Sequence, residues 1–352
     1  MRLLNKKPPP HCAHPRVQQG ITLIELMIAL VIGLLATGAM LKVYVDSSQL
    51  YRFNEGLARI QENGRLGLEF IRRDARMAGF WGCNHGTPPN HLYTMSSGEF
   101  LANPDGIYGE EEIIPNPPSG FYVIDRISFV GATGRAAIVT SDMGAANSPI
   151  SVSDAETFSL EDLLLITDCE TTDIFALTEI TGTTPATLKH GSGMNATDKL
   201  SKAYAAGSRV YQITSTHFCI RRDANLGQSS LRRLLNGSPV KCTADGDELV
   251  QGIENMRILI GQDTDVDSEG NGGDGNANRY IRLNLHSPDV APDGWIGYPA
   301  VSLRISLLAV SPNDNTTTEP APYFFSGQEV MPSDKYLRKV FTTTVAIRNK
   351  TK

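Results

Sequence analysis

The chain has little with which to do chemistry. Its seven histidines, His11, His14, His85, His91, His190, His217 and His286, form no His-Glu-x-x-His pattern and no other tight metal spacing. No Gly-x-Gly-x-x-Gly or Walker loop follows a strand-like run, and His190-Gly-Ser-Gly-Met is not a Gly-x-Ser-x-Gly elbow. His217 beside Cys219 reads as a strand residue near a disulfide rather than half of a Cys–His dyad. The two tryptophans, Trp81 and Trp295, read as core or interface aromatics. No basic stripe is present, so nucleic acid is not an expected partner. There is no internal repeat and no second long apolar run. These absences argue against catalysis and leave a signal-anchored periplasmic enzyme, with a site assembled from distant residues, as the weaker alternative.

Three further absences concern the N-terminus. Residues 1–20 contain no acidic side chain but hold Arg2, Lys6, Lys7 and Arg16. Residues Ile21 to Leu41 contain one charged side chain, Glu25. No proline occurs between Ile21 and Trp81, whereas Pro8-Pro9-Pro10 keeps the leader extended. As a helix, the apolar run of Ile21 to Leu41 spans about 31 Å, the thickness of a bilayer's hydrocarbon core. A carboxylate a few residues into such a helix is costly in lipid and needs a partner or a place near the interface. The basic leader orients the helix with residues 1–20 in the cytoplasm and everything after Leu41 exported.

An ordinary secretory signal is cut after its apolar core. Here the plausible cut is before it, after Gly20, which would leave the apolar helix as the new N-terminus. The helix is not expected to stop at Leu41. Apolar or small residues recur at Leu50, Phe53, Leu57, Ile60, Gly64, Gly67 or Leu68, Ile71, and Ala75 or Ala78, in steps of three and four. The other face carries Arg52, Glu55, Arg59, Glu62, Arg65, Glu69, Arg72 and Arg73. One helix from about Thr22 to Ala78 is predicted, with Gly79 as its stop. Gly33, Gly38, Gly56, Gly64 and Gly67 are expected to be soft points where it bends or unwinds.

Beyond Gly82 the chain reads as strands and loops. Strands are predicted at 121–130, 162–168, 209–214, 216–220, 279–285, 301–308 and 340–347, several with apolar/polar alternation. The segment 249–260 is ambiguous, and a short helix entering a strand is one reading of it. Loops are expected at 84–118, 141–156, 181–198, 262–278 and 311–335. The expected class is therefore α+β, a long helix packed on an antiparallel sheet, with residues 79–352 forming one domain or two subdomains. The formal net charge is −6, and removing the four leader cations leaves −10. Four cysteines remain after Cys12 leaves with the leader, an even number for an oxidising compartment. Of the three possible pairings, the expected one joins Cys219 to Cys242 across a short local loop. The second bridge, Cys83 to Cys169, would tie the start of the exported domain to a central strand.

One loop resembles a metal site. In Asp263-Thr-Asp-Val-Asp-Ser-Glu-Gly-Asn-Gly-Gly-Asp274, residues Asp263, Asp265 and Asp267 fall at ligand positions one, three and five of an EF-hand-like loop. Asn271 and Asp274 fall at nine and twelve. Ser268 stands where the turn glycine belongs and Asp274 where a bidentate Glu belongs. Calcium and a solvated acidic turn both remain open; no other cofactor is expected.

The motif Gly20-Ile21-Thr22-Leu23-Ile24-Glu25, between a basic leader and a spanning helix, resembles the class III signal of type IV pilins and type II secretion pseudopilins. Ile21 stands where that family usually has Phe or Met. Three later stretches, Leu249-Val-Gln-Gly-Ile-Glu-Asn-Met256, Val301-Ser-Leu-Arg-Ile-Ser-Leu-Leu308 and Val340-Phe-Thr-Thr-Thr-Val-Ala-Ile-Arg-Asn349, are similar to PilW-type minor pilins, as is the block Phe70 to Cys83. The resemblance implies a leader over 1–20, a transmembrane half-helix over 21–41, an amphipathic half over 42–78 and a periplasmic head over 79–352. It implies cleavage by a prepilin peptidase between Gly20 and Ile21, N-methylation of Ile21, and an assembly charge pair made by Glu25. The implied partners are the inner membrane, other minor pilins, the major pilin and a tip adhesin, in a complex that primes pilus assembly. A J-type pseudopilin, usually much shorter, is the nearest competitor, and a surface adhesive protein is a third reading.

Overall fold

The computed structural model describes residues 20–83, 90–91, 106–113, 123–222, 229–236, 242, 246–265, 273–283, 298 and 300–347. The chain divides into two compact units, Met1–Arg52 and Phe53–Lys352, and helix α1 (Leu23–Ala75) contributes to both.

Within the first unit the apolar side chains of α1 are exposed, Leu34 at 72 % and Leu23 at 78 %. The stretch is long and apolar enough to cross a membrane, and none of that window is buried inside the protein. Water is an unfavourable solvent for such a surface, at roughly 25 cal/mol per Å². It therefore calls for lipid or other apolar helices around it.

Within the second unit α1 buries Gly56, Ile60, Gly64, Gly67, Ile71 and Ala75, again in steps of three and four. The glycines on this stripe were expected to soften the helix. Instead α1 is continuous through them, and they bring it close to the strands beneath. A Cβ placed on Gly64 would lie 2.3 Å from Phe341 Cδ2, and one on Gly67 would lie 2.9 Å from Leu307 Cδ1. The helix ends at Ala75, short of Ala78, because its last turn tightens. Met77 N–H donates to Asp74 O and Ala78 N–H to Ala75 O, three residues back. Gly79 then takes a positive φ of 65° and donates to Val130 O.

The strands, in chain order, are β1 (Asn90–His91), β2 (Ile107–Ile113), β3 (Val123–Ile138), β4 (Ile150–Val152), β5 (Leu163–Thr167), β6 (Thr172–Ala176), β7 (Glu179–Gly182), β8 (Ala186–Lys189) and β9 (Arg209–Arg222). They continue with β10 (Ser229–Leu235), β11 (Asp247–Gln251), β12 (Ile253–Gln262), β13 (Arg279–Arg282), β14 (Ala300–Val310), β15 (Tyr323–Phe325), β16 (Gln328–Val330) and β17 (Arg338–Ala346). The largest sheet is built on β9, which carries β3 on one edge and both β5 and β10 on the other. β2, β6 and β11 extend it antiparallel, and β1 joins β6 in parallel. A second, antiparallel sheet has the order β13-β12-β14-β17, and β4-β8-β7 and β15-β16 form smaller ones.

The expected strands at 209–214 and 216–220 are thus one strand, bridged at Ser215, whose N–H is held by Asn236 Oδ1. The ambiguous segment 249–260 resolves into two strands broken at Gly252, whose φ is 71° and whose N–H donates to Ser229 O. Several expected loops contain short strands: β2 within 84–118, β4 within 141–156, β8 within 181–198 and the β15–β16 hairpin within 311–335. Leu283 lies beyond β13, which is shorter than the predicted 279–285.

The helix stripe and the inner faces of β12, β14 and β17 share one core, including Ile60, Ile71, Met256, Ile258, Leu303, Ile305 and Val345. Each such side chain contributes about 1.5–3 kcal/mol on full burial. A second core lies around Leu164, Ile166, Phe175, Leu188 and Tyr204. A third holds Trp81 with Val130, Leu165 and Ile213.

Candidate functional site

The candidate site at the N-terminus is a helix start. Thr22 precedes the first helical residue and Glu25 falls three positions later, the register of a capping box. Thr22 Oγ1 donates to Glu25 Oε2 at 3.5 Å, and Thr22 O accepts from Leu26 N–H. Gly20 and Ile21 are exposed, Ile21 at 75 %. Two residues of the signal, Thr22 and Glu25, therefore also shape the helix start, a role for Thr22 that the family motif did not bring out.

The end of the helix is stapled to the large sheet. Ala132 N–H donates to Phe80 O, Trp81 is buried, and Cys83 is disulfide-bonded to Cys169 just past β5. A second disulfide joins Cys219 on β9 to Cys242. His217 is therefore not beside a free thiol. Its Nδ1 lies 2.6 Å from Ser128 Oγ, and both residues are buried between neighbouring strands. His190 is also buried, with its ring edge-on to Phe175 and its Nε2 3.2 Å from Ser148 O. Burial keeps its pKa below the usual histidine value. Trp295, His85 and His286 lie outside the described residues, as do His11, His14 and Cys12.

The acidic loop brings Asp263, Asp265 and Asp274 together, each with a carboxylate oxygen within 4.8 Å of the others. These oxygens already have donors. Asp263 accepts from the N–H groups of Asp265 and Gly275, Asp265 from Asn278, and Asp274 from Asn276. Asn276 holds the Asp274 carboxyl below its usual range. The cluster is thus satisfied by its own loop. Asp267 and Asn271 lie outside the described residues.

The sequence reading missed two charge clusters, one that joins the two main sheets and one within the second sheet. Asp125 on β3 is fully buried and accepts from Arg257 Nη1 at 2.7 Å and from the N–H of Ile258 on β12. It occupies the edge of β12 below the point where β13 stops pairing. Glu111 on β2 takes the other Arg257 nitrogen at 2.8 Å. Burial pushes the Asp125 carboxyl up to about 7, against the pull of Arg257. In the second cluster Arg338 binds Glu254 at 2.6 Å and Asp334. The signal for the first was a charged residue inside an apolar strand, as in Val-Ile-Asp125-Arg-Ile and Met-Arg257-Ile.

The comparisons with known proteins agree with this geometry. Residues 15–41 match the prokaryotic N-terminal methylation motif, and residues 217–349 match the family described as Type IV Pilus-assembly protein W. A class III prepilin signal on an exposed apolar helix, followed by a strand-rich domain, defines a type IV pilin-like protein. Within that class, residues 217–349 are similar to the PilW family. A type IV-like pilin from Thermus thermophilus aligns over 84 % of this chain and 99 % of its own, at 11 % identity and a TM-score of 0.31. No curated protein matches. The PilW match covers the second sheet, part of β9 and the acidic loop.

Proposed function

We propose that this chain is a PilW-like minor pilin that helps prime type IV pilus assembly and sits in a tip complex with other minor pilins and a tip adhesin. The prepilin peptidase cleaves between Gly20 and Ile21, and Ile21 is then N-methylated. Residues 21–41 hold the subunit in the inner membrane, residues 42–78 form the amphipathic half of the helix, and residues 79–352 form a periplasmic head. After assembly the same helix packs among those of other minor pilins and the major pilin. The carrying observation is one chain with a methylation motif over 15–41 and a PilW match over 217–349. The exposed apolar surface of α1 supports it, since that surface suits both lipid and a bundle of like helices.

Glu25 has the central chemical role in this reading. Cleavage frees an ammonium on Ile21 close to the bilayer surface, and the Glu25 carboxylate of an incoming subunit pairs with a neighbour's ammonium. In low dielectric, one partner alone is an unpaired charge, so the pair selects register. Glu25→Val is expected to be exported and cleaved but not to co-purify with partner pilins. Co-purification equal to wild type would refute the pairing. The head acts without catalysis, and calcium is not required. A calcium titration of the full chain reads the acidic loop: a higher melting temperature reversed by chelator would make Asp263, Asp265 and Asp274 ligands.

A further inference from the structure

A pocket of about 280 Å³ opens where α1 passes the break between β11 and β12. Arg59 and Asn63 of α1 line it, with Arg222 and Ser229 from the paired ends of β9 and β10. Its floor is a closed network. Gly252 N–H donates to Ser229 O, Val310 N–H to Gly252 O, and Asn63 Nδ2 to Gln251 O at 2.9 Å. Glu254 and Asp334 also line it, and each gives both carboxylate oxygens to Arg338, whose side chain is 2 % exposed. These bonds hold the floor in one shape before any ligand arrives.

The bonding capacity left over is one-sided. Of the four charged side chains in the lining, Arg59 is held by Glu55 and the two carboxylates by Arg338. Arg222 is exposed, and among the described residues its guanidinium has no ion pair and no hydrogen bond. The hydroxyls of Ser229 and of half-buried Tyr336, which also lines the pocket, have no partner among those residues either. Burial, with the nearby carboxylates of Asp314, Asp334 and Glu254, raises the Tyr336 pKa, so that hydroxyl keeps its proton and can donate. The lining thus offers one guanidinium fork and two hydroxyls, while its carboxylates are already taken.

Such a lining calls for an acceptor with a single negative charge. A guanidinium matches a carboxylate through two parallel N–H···O bonds. A phosphate group, with nearly two charges at neutral pH, would set its second charge near Glu254 and Asp334 with one free arginine to meet it. The volume lies just below the roughly 300–1,000 Å³ of small-molecule pockets, so it suits a short acid. We propose that this pocket binds a single carboxylate on a short stem, held by Arg222 and the hydroxyls of Ser229 and Tyr336. The carboxylate comes either from a free small acid or from an acidic side chain of a partner protein. Every residue named here belongs to the second unit, so the proposal is independent of how the N-terminus is processed.

The test is calorimetric titration of the full chain in detergent with three probes: butyrate, N-acetyl-glutamate amide and N-acetyl-glutamine amide. The last two differ only in carboxylate against carboxamide. The capped glutamate is expected to bind at least tenfold more tightly than the capped glutamine, the scale of a charge-assisted hydrogen bond. Arg222→Gln is expected to weaken it at least tenfold with an unchanged melt, since that guanidinium holds nothing in the fold. The comparison of the two capped residues on the wild-type chain needs no variant. Butyrate binding as tightly as the capped glutamate makes the ligand a free acid. Tighter binding of the capped glutamate makes it a partner's side chain. Absence of binding by both acids, equal binding of the two capped residues, or wild-type binding by Arg222→Gln would overturn the proposal and leave a hydrated notch.

Discussion

Gly64→Ala tests how α1 meets the second sheet. An added Cβ would lie 2.3, 2.5 and 2.7 Å from three ring carbons of Phe341, against about 3.5–4.0 Å for a relaxed carbon contact. The ring must retreat by more than 1 Å, or the helix must lift from β17 and open the core at Ile60 and Leu307. Overpacking of this kind costs about 1–3 kcal/mol. Alanine's better helix propensity returns about 1 kcal/mol. With contacts this short the cost lies at the upper end of that range, so a net loss of about 2 kcal/mol is expected, or a fall of a few degrees in melting temperature. The same change at Gly67 meets only the tip of Leu307 at 2.9 Å, and at Gly56 a methyl of Thr316 at 3.0 Å, so both should cost less. Tryptophan fluorescence of the full chain in detergent, heated through unfolding, measures all three. Phe341→Leu should rescue Gly64→Ala, with a coupling of about 1 kcal/mol in the double-mutant cycle. A Gly64→Ala chain as stable as wild type, or no coupling to Phe341, would refute the close-approach reading.

Arg257→Met should destabilise by about 3–5 kcal/mol, because it strands the buried Asp125 carboxyl beside half-buried Glu111, and adding Asp125→Leu should recover part of the loss in the same melt. Asp125 also sets a pH dependence. Its carboxyl titrates at about 7 when folded, above its ordinary 3.8, so it holds a proton that the unfolded chain has released. Its stabilising contribution is full below the unfolded value and is lost as pH rises through 7, at up to about 1.4 kcal/mol per pH unit. Asp125→Asn should remove that slope and leave the opposite one from buried His190, whose depressed pKa favours the folded state above its ordinary value; identical profiles for variant and wild type would contradict this. Replacing Cys83 and Cys169 by alanine should cost more than replacing Cys219 and Cys242, since the first bridge spans 86 residues and the second 23; chain-entropy reasoning gives about 4–5 against about 3 kcal/mol, measurable by urea unfolding.

The long helix was legible in the sequence because its stripe is periodic and proline-free, and β14 and β17 because they alternate or run apolar over nine or more residues. The rest was hidden by tertiary effects. β6 is five residues with Asp173 in it, which reads as loop until Ser201 and Tyr204 are seen to donate to that carboxylate. β10 carries Arg232 and Arg233 in succession, and their partners Glu248 and Asp247 lie on β11. The stripe glycines look like weak points from propensity alone, whereas what fixes them lies far away in sequence: Phe341 at Gly64, Leu307 at Gly67 and Thr316 at Gly56. At the candidate site, the signal residues could be named because each sits at a set distance from the next. The buried cluster of Asp125, Glu111 and Arg257 could not, because its members come from three strands.

The central claim is that the chain is processed as a pilin. N-terminal mass spectrometry of the membrane-extracted protein, from cells with and without their prepilin peptidase, tests it most directly. The account predicts a chain that begins at N-methylated Ile21 when the peptidase is present and at the intact leader when it is absent. An intact leader in both, or a start beyond Leu41, would contradict it.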